Sequence, residues 1–301
     1  MTAHVVSNTN DGTRGDPYLC HSFVTTGLVD LPSWSTAPRG SAREVHLGLK
    51  AAGMRGVQGG DPALCRELGL RCMADARVFR PEEIAPLAGQ WKREGMTCAT
   101  LLVGSGHESD AEIDALVGAV LSASTAEDLP IYIETHRASI TQDTWRTVQM
   151  IERHPGVRFN ADLSHWYTGL LMRFGNIEEK WTFMAPIFER VRYMHGRLGN
   201  SGHIQMPLDH PSMAGAIPHF REMWTRCMVG FLRTAQPGDY LCFAPELLSP
   251  QINFAPTAQN AEQAWVEASD RWCDAVQMLE IATACWDEAQ RRRNNARMAA
   301  M

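Results

Sequence analysis

The sequence lacks the features of membrane-spanning, secreted and nucleic-acid-binding proteins. Its apolar runs stay well short of the ~20 residues that a membrane-spanning helix needs. Residues 1–17 are polar and charged where a secretory signal would have an apolar stretch. Acidic side chains outnumber lysine and arginine by 34 to 28, so the chain has no positive excess to attract nucleic acid or anionic lipid. We therefore expect neither a membrane nor a nucleic acid as partner.

The eight cysteines form no Cys-x-x-Cys pair, which argues against a redox motif or a thiolate zinc site. Cys20, Cys72, Cys98 and Cys242 lie inside apolar, strand-like runs, where a reduced thiol behaves as a small apolar side chain. Reduced thiols indicate a reducing compartment, so we expect a cytoplasmic protein.

Several common catalytic signatures and sequence repeats are also absent. Gly104-Ser105-Gly106 does not match the Gly-x-Ser-x-Gly turn of the α/β-hydrolases, and Gly59-Gly60 matches no phosphate-binding loop. No internal repeat or low-complexity segment interrupts the chain.

What the sequence does contain is a short apolar run followed by a helical pattern, eight times in succession. Several of these runs are continuously apolar, which is typical of parallel strands covered on both faces. The alternation predicts an α/β protein with one (β/α)8 TIM barrel at 18–290, a flexible N-terminal segment at 1–17 and a C-terminal tail at 291–301. The predicted strands are Leu19–Val24, Gly56–Val57, Arg71–Val78, Thr97–Val103, Pro130–Glu134, Arg158–Asp162, Arg192–His195 and Leu241–Ala244.

Two predictions concern particular helices. Thr141 is placed to cap the fifth helix at its N-terminus. The last helix is expected over Ala261–Arg293, because Trp265, Ala268 and Trp272 repeat at helical spacing and would pack against the barrel.

Four polar residues stand at the ends of the last four predicted strands. They are Glu134, Asp162, His195 and Glu246. In a closed parallel barrel, all strand C-termini meet at one face, so three carboxylates and an imidazole should converge there. Such a set of mostly oxygen donors predicts a site for one divalent metal ion. It favours Mn²⁺, with Mg²⁺, Co²⁺ and Zn²⁺ left open.

The segments around these residues resemble the metal-site motifs of the xylose-isomerase-like TIM-barrel superfamily. They are Ile133-Glu-Thr-His136, Asn160-Ala-Asp-Leu-Ser-His165, Met194-His-Gly-Arg197 and Ala244-Pro-Glu246. The resemblance extends over about 19–284. It implies that the four strand-end residues are the metal ligands, and that Glu134 and Glu246 also exchange a proton with a substrate carbon. It further implies that His165 and Arg197 contact substrate oxygens, although Arg197 stands nearer to its histidine than in the ketose 3-epimerases.

Four neighbouring residues complete the predicted site. His136 lies two residues beyond Glu134 and should face the same side of the strand, close to the pocket. We expect His107 and Trp166 to contact substrate, the tryptophan by stacking on sugar C–H groups. His203 resembles a histidine that some members of the superfamily use for a further metal ion.

The resemblance implies an isomerase or epimerase that acts on a small sugar or keto-sugar through proton transfer next to a carbonyl. A lyase on the same scaffold, which dehydrates or eliminates from a keto-sugar, is the alternative. An endonuclease-IV-type nuclease is disfavoured, because the second strand ends at Gln58 rather than a histidine and the chain is acidic. A small carbohydrate is the expected partner, and homo-oligomerisation is left open.

Overall fold

Eight parallel strands close into a barrel in the computed structural model, which describes residues 5–299. Each strand pairs with the next in the chain, and β8 pairs with β1. The predicted (β/α)8 barrel is therefore confirmed, with each strand within one residue of its predicted bounds. The strands are β1 Tyr18–Val24, β2 Gly56–Gln58, β3 Arg71–Val78, β4 Cys98–Val103, β5 Ile131–Glu134, β6 Phe159–Ala161, β7 Val191–Gly196 and β8 Tyr240–Pro245.

Helices connect the strands on the outside of the barrel, and local sequence signals set several of their ends. Ser41 and Glu44 form a capping box at the start of α1, and Ser109 and Glu112 do the same for α4. The helices are α1 Ala42–Ala51, α2 Pro62–Leu68, α3 Ile84–Glu94, α4 Asp110–Ala126, α5 Thr144–Arg153, α6 Ser164–Gly169, α7 Ile177–Phe183, α8 Ala185–Phe188, α9 Ile217–Thr234 and α10 Arg271–Ala299.

Apolar side chains are buried in two places. The larger cluster lies between the strands and the surrounding helices. The smaller one fills the interior of the barrel and includes Cys20, Tyr132, Tyr193 and Cys242. All eight cysteines belong to the described residues and are free thiols, and seven of them are buried. Between residues 5 and 299, no helix has both the length and the apolar character that a membrane span requires.

Residues 5–17 pack across the N-terminal end of the barrel. Val6 is buried and its N–H donates to the Gly156 carbonyl at 3.3 Å. The Thr9 hydroxyl donates to the Tyr240 carbonyl at 2.5 Å, and the Tyr132 hydroxyl donates to the Ser7 carbonyl at 3.3 Å. Residues 5–17, predicted to form a flexible segment, thus make specific contacts with the barrel. Residues 1–4 lie outside the described part of the chain.

The C-terminal region differs from its prediction at both ends of the last helix. Residues 257–267 form an antiparallel hairpin of β9 (Thr257–Gln259) and β10 (Trp265–Glu267), and α10 begins only at Arg271. Trp265 is consequently exposed instead of packed on the barrel. The helix continues through residues 291–299, which were predicted to be a tail, while residues 300–301 lie outside the described range.

Thr141 does not cap α5, because Asp143 does so through a side-chain bond to the Arg146 N–H. Thr141 instead holds the end of β5. Its hydroxyl donates to the Glu134 carbonyl at 2.7 Å and accepts from the His136 N–H at 3.0 Å. These two bonds fix the backbone immediately after Glu134, a predicted metal ligand.

Candidate metal centre

The four strand-end residues lie together at the C-terminal end of the barrel, which we call the barrel mouth. Glu134 ends β5, Asp162 follows β6, His195 is the penultimate residue of β7, and Glu246 follows β8. One ligand atom from each residue lies within 4.8 Å of the others. The parallel register accounts for this convergence, since it pairs His195 with Ala244 and Glu134 with Asn160 on adjacent strands.

Asp162 is fully buried, and its two carboxylate oxygens have different surroundings. Oδ1 accepts hydrogen bonds from the Ser164 hydroxyl at 2.6 Å and from the Ser164 N–H at 3.1 Å. Oδ2 is buried and accepts no hydrogen bond, although His165 Nε2 and Arg197 Nη2 lie 3.4 and 3.5 Å from it. Burial raises the pKa of Asp162, but the charge of Arg197 and the hydrogen bond from the Ser164 hydroxyl bring the pKa below its usual range. An ionised carboxylate with one unused oxygen fits a cation.

His195 presents one ring nitrogen to the carboxylates. Its Nδ1 lies 3.4 Å from Glu246 Oε2 and 3.8 Å from Glu134 Oε2. Its Nε2 lies 2.9 Å from the side-chain oxygen of Gln58. Burial by itself lowers the pKa of His195, but the carboxylates of Glu246 and Glu134 outweigh burial and raise the pKa to about 9. Without a metal ion, this imidazole therefore takes up a proton in the position that a cation would occupy.

Arg197 binds two of the four candidate ligands. Its Nη2 contacts Glu246 Oε2 and lies 3.5 Å from Asp162 Oδ2, while its Nε donates to the Glu246 carbonyl at 2.9 Å. The Phe254 ring covers the guanidinium at 4.9 Å. Arg197 thus neutralises part of the acidic cluster and orients the Glu246 carboxylate.

His136 and His165 stack against each other beside this cluster, with ring centroids 3.8 Å apart. His136 borders the cavity at the mouth, whereas His165, which was expected to contact substrate oxygens, is buried and does not border the cavity. Burial lowers the pKa of His136 to about 4 and that of His165 well below its usual range, so both rings are neutral at neutral pH. Both ring nitrogens of His165 are buried without a hydrogen-bond partner.

A ligand atom of Glu134 also lies within 4.8 Å of one from each of these histidines. The Nδ1 atom of His136 already accepts the Ala138 N–H at 3.0 Å, which leaves only Nε2 free to contact another group. Of these two groups of candidate ligands, the group of four strand-end residues has three anionic donors, whereas the group with His136 and His165 has one.

The cavity above the cluster has a volume of about 240 Å³. Its lining includes the apolar side chains of Leu102, Leu248 and Phe254 and two of the candidate ligands, Glu134 and Glu246. Larger grooves lie elsewhere, among the helices on the outside of the barrel. The cavity is also lined by residues that the sequence analysis did not assign to the site, namely Gln58, Asp75, Ala76, Arg77, Thr100, Leu102, Leu248 and Phe254. Of these, Gln58 and Asp75 could have been found from their positions on β2 and β3, while the loop residues carried no such signal.

Three predicted members of the site lie elsewhere. Trp166 is completely buried and its indole N–H donates to the Thr141 carbonyl at 2.8 Å, so the predicted stacking on a sugar is wrong. His107 is exposed in the loop after β4 and does not border the cavity. His203 is exposed in the loop after β7.

The four strand-end residues fit a divalent cation. Their donors are three carboxylates and one imidazole, a set that suits Mg²⁺ or Mn²⁺. The buried, unpartnered Asp162 Oδ2 is an acceptor that a cation would satisfy. Both the type of donor and the buried negative charge of Asp162 therefore support a bound cation.

Comparison with solved structures places the barrel among known folds. A xylose isomerase-like TIM barrel protein from Mycobacterium smegmatis, in complex with magnesium, superposes with a TM-score of 0.51 and 12% identity, over 89% of this chain and 96% of that chain. A protein from Sinorhizobium meliloti gives a TM-score of 0.50 and 15% identity, over 89% and 97%. This chain has the fold of the xylose isomerase-like TIM barrels, and at these identities the likeness concerns the fold alone. No protein-family model and no curated protein sequence matches the chain.

Proposed function

We propose that this chain is a divalent-metal-dependent isomerase or epimerase of a small sugar or keto-sugar. The main support for this proposal is the group of Glu134, Asp162, His195 and Glu246, in which the buried Asp162 Oδ2 accepts no hydrogen bond. We propose Mn²⁺ as the ion, held by these four residues. A small carbohydrate is the proposed partner, and a cavity of about 240 Å³ is large enough to hold one.

The chemistry follows from the donor set. A divalent ion in this position would polarise a substrate carbonyl, which makes a proton on the neighbouring carbon easier to remove. Glu134 and Glu246 enter from strands three apart, so their carboxylates reach the substrate from different directions. One can accept the carbon-bound proton and the other can return one, which is how two bases interconvert epimers.

Glu246 is suited to hold a proton for part of the reaction. Burial raises its pKa above the usual range for a glutamate, and the opposing charges of His195 and Arg197 do not cancel that effect. Arg197 contacts Oε2 of this carboxylate. A carboxyl group with a raised pKa and one fixed oxygen can act as both acid and base.

The remaining walls of the cavity would orient the substrate. Because His136 Nδ1 accepts a backbone N–H, its ring proton is on Nε2, from which it can donate to a substrate hydroxyl. Leu248 and Phe254 offer an apolar surface to the C–H face of a sugar. His165 lies behind His136 and supports its ring, so we assign it a supporting role rather than direct contact.

Proton exchange with solvent tests this proposal. The metal-loaded protein is incubated in D₂O with a panel of ketopentoses and ketohexoses, and deuterium incorporation next to the carbonyl is followed by NMR. Glu134→Gln and Glu246→Gln should each reduce exchange by roughly two to four orders of magnitude, the usual range for a lost acid–base group. Glu262→Gln is the matched control, because Glu262 is exposed in the hairpin turn and should leave exchange unchanged.

The products distinguish the isomerase from the lyase. Deuterium incorporation with retention of every oxygen supports an isomerase or epimerase, whereas loss of water after C–H cleavage would replace it with a dehydratase. Turnover of a substrate without any C–H cleavage would contradict both.

A further inference from the structure

Gln58 reaches from the end of β2 across the barrel to the candidate metal ligand on β7. Its side chain is only 2% exposed. The side-chain oxygen accepts hydrogen bonds from His195 Nε2 and from the Tyr193 hydroxyl, both at 2.9 Å. Tyr193 and His195 are themselves buried, so these contacts exclude water.

This hydrogen bond selects one tautomer of the neutral His195 ring. A neutral imidazole carries its proton on one nitrogen and a lone pair on the other. An amide oxygen can only accept, so Nε2 carries a proton, and in the neutral ring that binds a metal ion the lone pair is on Nδ1. Nδ1 is the nitrogen that faces Glu246 and Glu134, at 3.4 and 3.8 Å. A lone pair in that place can bind a cation, whereas an N–H could not.

A neighbouring carboxylate favours one orientation of the Gln58 amide. Asp75, on strand β3, borders the same cavity as Gln58, and the Gln58 amide lowers the pKa of Asp75 against the larger rise that burial causes. A carboxylate accepts hydrogen bonds, so it favours the orientation in which the Gln58 NH₂ group points to Asp75 and the oxygen points to His195. If the amide were turned over, its NH₂ group would meet Nε2, and the ring proton would move to Nδ1.

Asn160 is the other side-chain amide beside the His195 ring, and it does not determine which ring nitrogen carries the proton. Its Nδ2 lies 3.2 Å from both Nδ1 and Nε2 of His195, so it does not discriminate between them. It is engaged with the Thr100 hydroxyl at 2.9 Å.

We propose that Gln58 is a positioning residue that holds His195 with its proton on Nε2, and so makes Nδ1 available to the metal ion. Asp75 and Tyr193 orient Gln58 for this task. The inference rests on the proposed metal-dependent function. It adds residues on strands β2 and β3 to the four ligands that metal binding requires. Metal affinity would then depend on Gln58, which does not contact the ion itself.

The test compares Mn²⁺ binding by wild-type protein with binding by Gln58→Met and Gln58→Glu. Methionine keeps the length of the side chain and removes the acceptor, so Mn²⁺ affinity should fall by about 10- to 100-fold. Glutamate retains an acceptor for Nε2, so its affinity should stay within about tenfold of wild type. Tyr193→Phe removes one of the contacts that orient Gln58 and should produce a smaller loss than Gln58→Met.

Spin-echo EPR of bound Mn²⁺ supplies a readout that a general loss of stability would not move. The wild-type and Gln58→Glu proteins should show the coupling of one directly bound imidazole ¹⁴N, and Gln58→Met should show a weakened or absent coupling. Gln205→Leu is the control, because it removes a buried amide that bonds to the Leu248 backbone and not to His195. It should retain both the Mn²⁺ affinity and the ¹⁴N coupling.

The outcomes separate this inference from the proposed function. If wild type binds Mn²⁺ with ¹⁴N coupling and Gln58→Met does the same at equal affinity, the role of Gln58 is contradicted and the metal centre stands. If wild type binds no Mn²⁺, both fail. Should Gln58→Met not fold, Tyr193→Phe and Gln58→Glu still decide, since equal and large losses in both would contradict the inference.

Discussion

Asp162 is the residue whose surroundings depend most on a cation. One of its oxygens is held by Ser164, and the other is buried without a hydrogen-bond partner. We predict that Asp162→Asn lowers Mn²⁺ affinity by more than about 100-fold, beyond the range for residues that only support a ligand. Isothermal titration with Mn²⁺ measures this. Asp128→Asn, at an almost fully exposed carboxylate, is the control and should bind as wild type does. Equal affinity in both variants would remove Asp162 from the ligand set.

His195 makes metal binding depend on pH. Its pKa is raised to about 9 in the metal-free protein, so below that pH the imidazole holds a proton that the ion must displace. We therefore predict that Mn²⁺ affinity rises by about tenfold per pH unit as the pH increases from 6.5 to 8.5. Titrations in two buffers of different ionisation enthalpy should show about one proton released per ion at pH 7. Affinity that is flat over this range, with no proton released, would show that His195 is not a ligand.

The residues at strand ends could be predicted from the sequence, and those on helices and loops could not. The end of a parallel strand faces the mouth whatever the rest of the chain does, which placed Glu134 and Glu246 correctly at the mouth. The direction of Trp166 depends on how α6 packs, and there its indole turns into the core. Phe254 reaches the cavity only through the path of a long loop.

Among the secondary-structure elements, the start of α10 links several loops through a hydrogen bond and an ion pair of its first residue, Arg271. Arg271 is 2% exposed, and its Nη2 donates to the Val29 carbonyl at 2.9 Å. Its Nε lies 2.5 Å from Glu267 Oε1 at the end of the hairpin, and Glu267 is equally buried. This ion pair therefore connects the loop after β1 with the hairpin that follows β8.

We predict that Arg271→Met destabilises the protein by about 3–5 kcal/mol, because it leaves a buried carboxylate without its partner. Urea unfolding measures the change. The double variant Glu267→Leu with Arg271→Met should recover much of the loss, since an apolar pair of similar volume needs no counter-charge. A single variant as stable as wild type would show that the ion pair is not needed to hold these elements.

The same contact explains why the last helix was predicted too early. Trp265, Ala268 and Trp272 have helical spacing, and local periodicity alone favours a helix through them. The start of the helix is decided instead by distant partners. The Asp270 side chain accepts from Ser35 at 2.6 Å, and Arg271 binds the loop after β1. Sequence spacing contains no information about such long-range contacts.

For the molecule as a whole, the metal centre joins side chains from four adjacent strands, so binding should stabilise the folded barrel. At a free Mn²⁺ concentration 100 times the dissociation constant, we predict a gain of about 2.7 kcal/mol in the free energy of unfolding. Denaturant unfolding with and without Mn²⁺ measures it. Asp162→Asn should show almost no gain at the same concentration. An equal gain in both proteins would indicate binding elsewhere on the acidic surface.

The most direct test of the account is anomalous diffraction from crystals of this protein grown with Mn²⁺. We predict one strong anomalous peak at the barrel mouth, with Glu134, Asp162, Glu246 and the Nδ1 atom of His195 at coordination distance. A peak at any other place, or His195 turned so that Nε2 faces the ion, would contradict the centre described here.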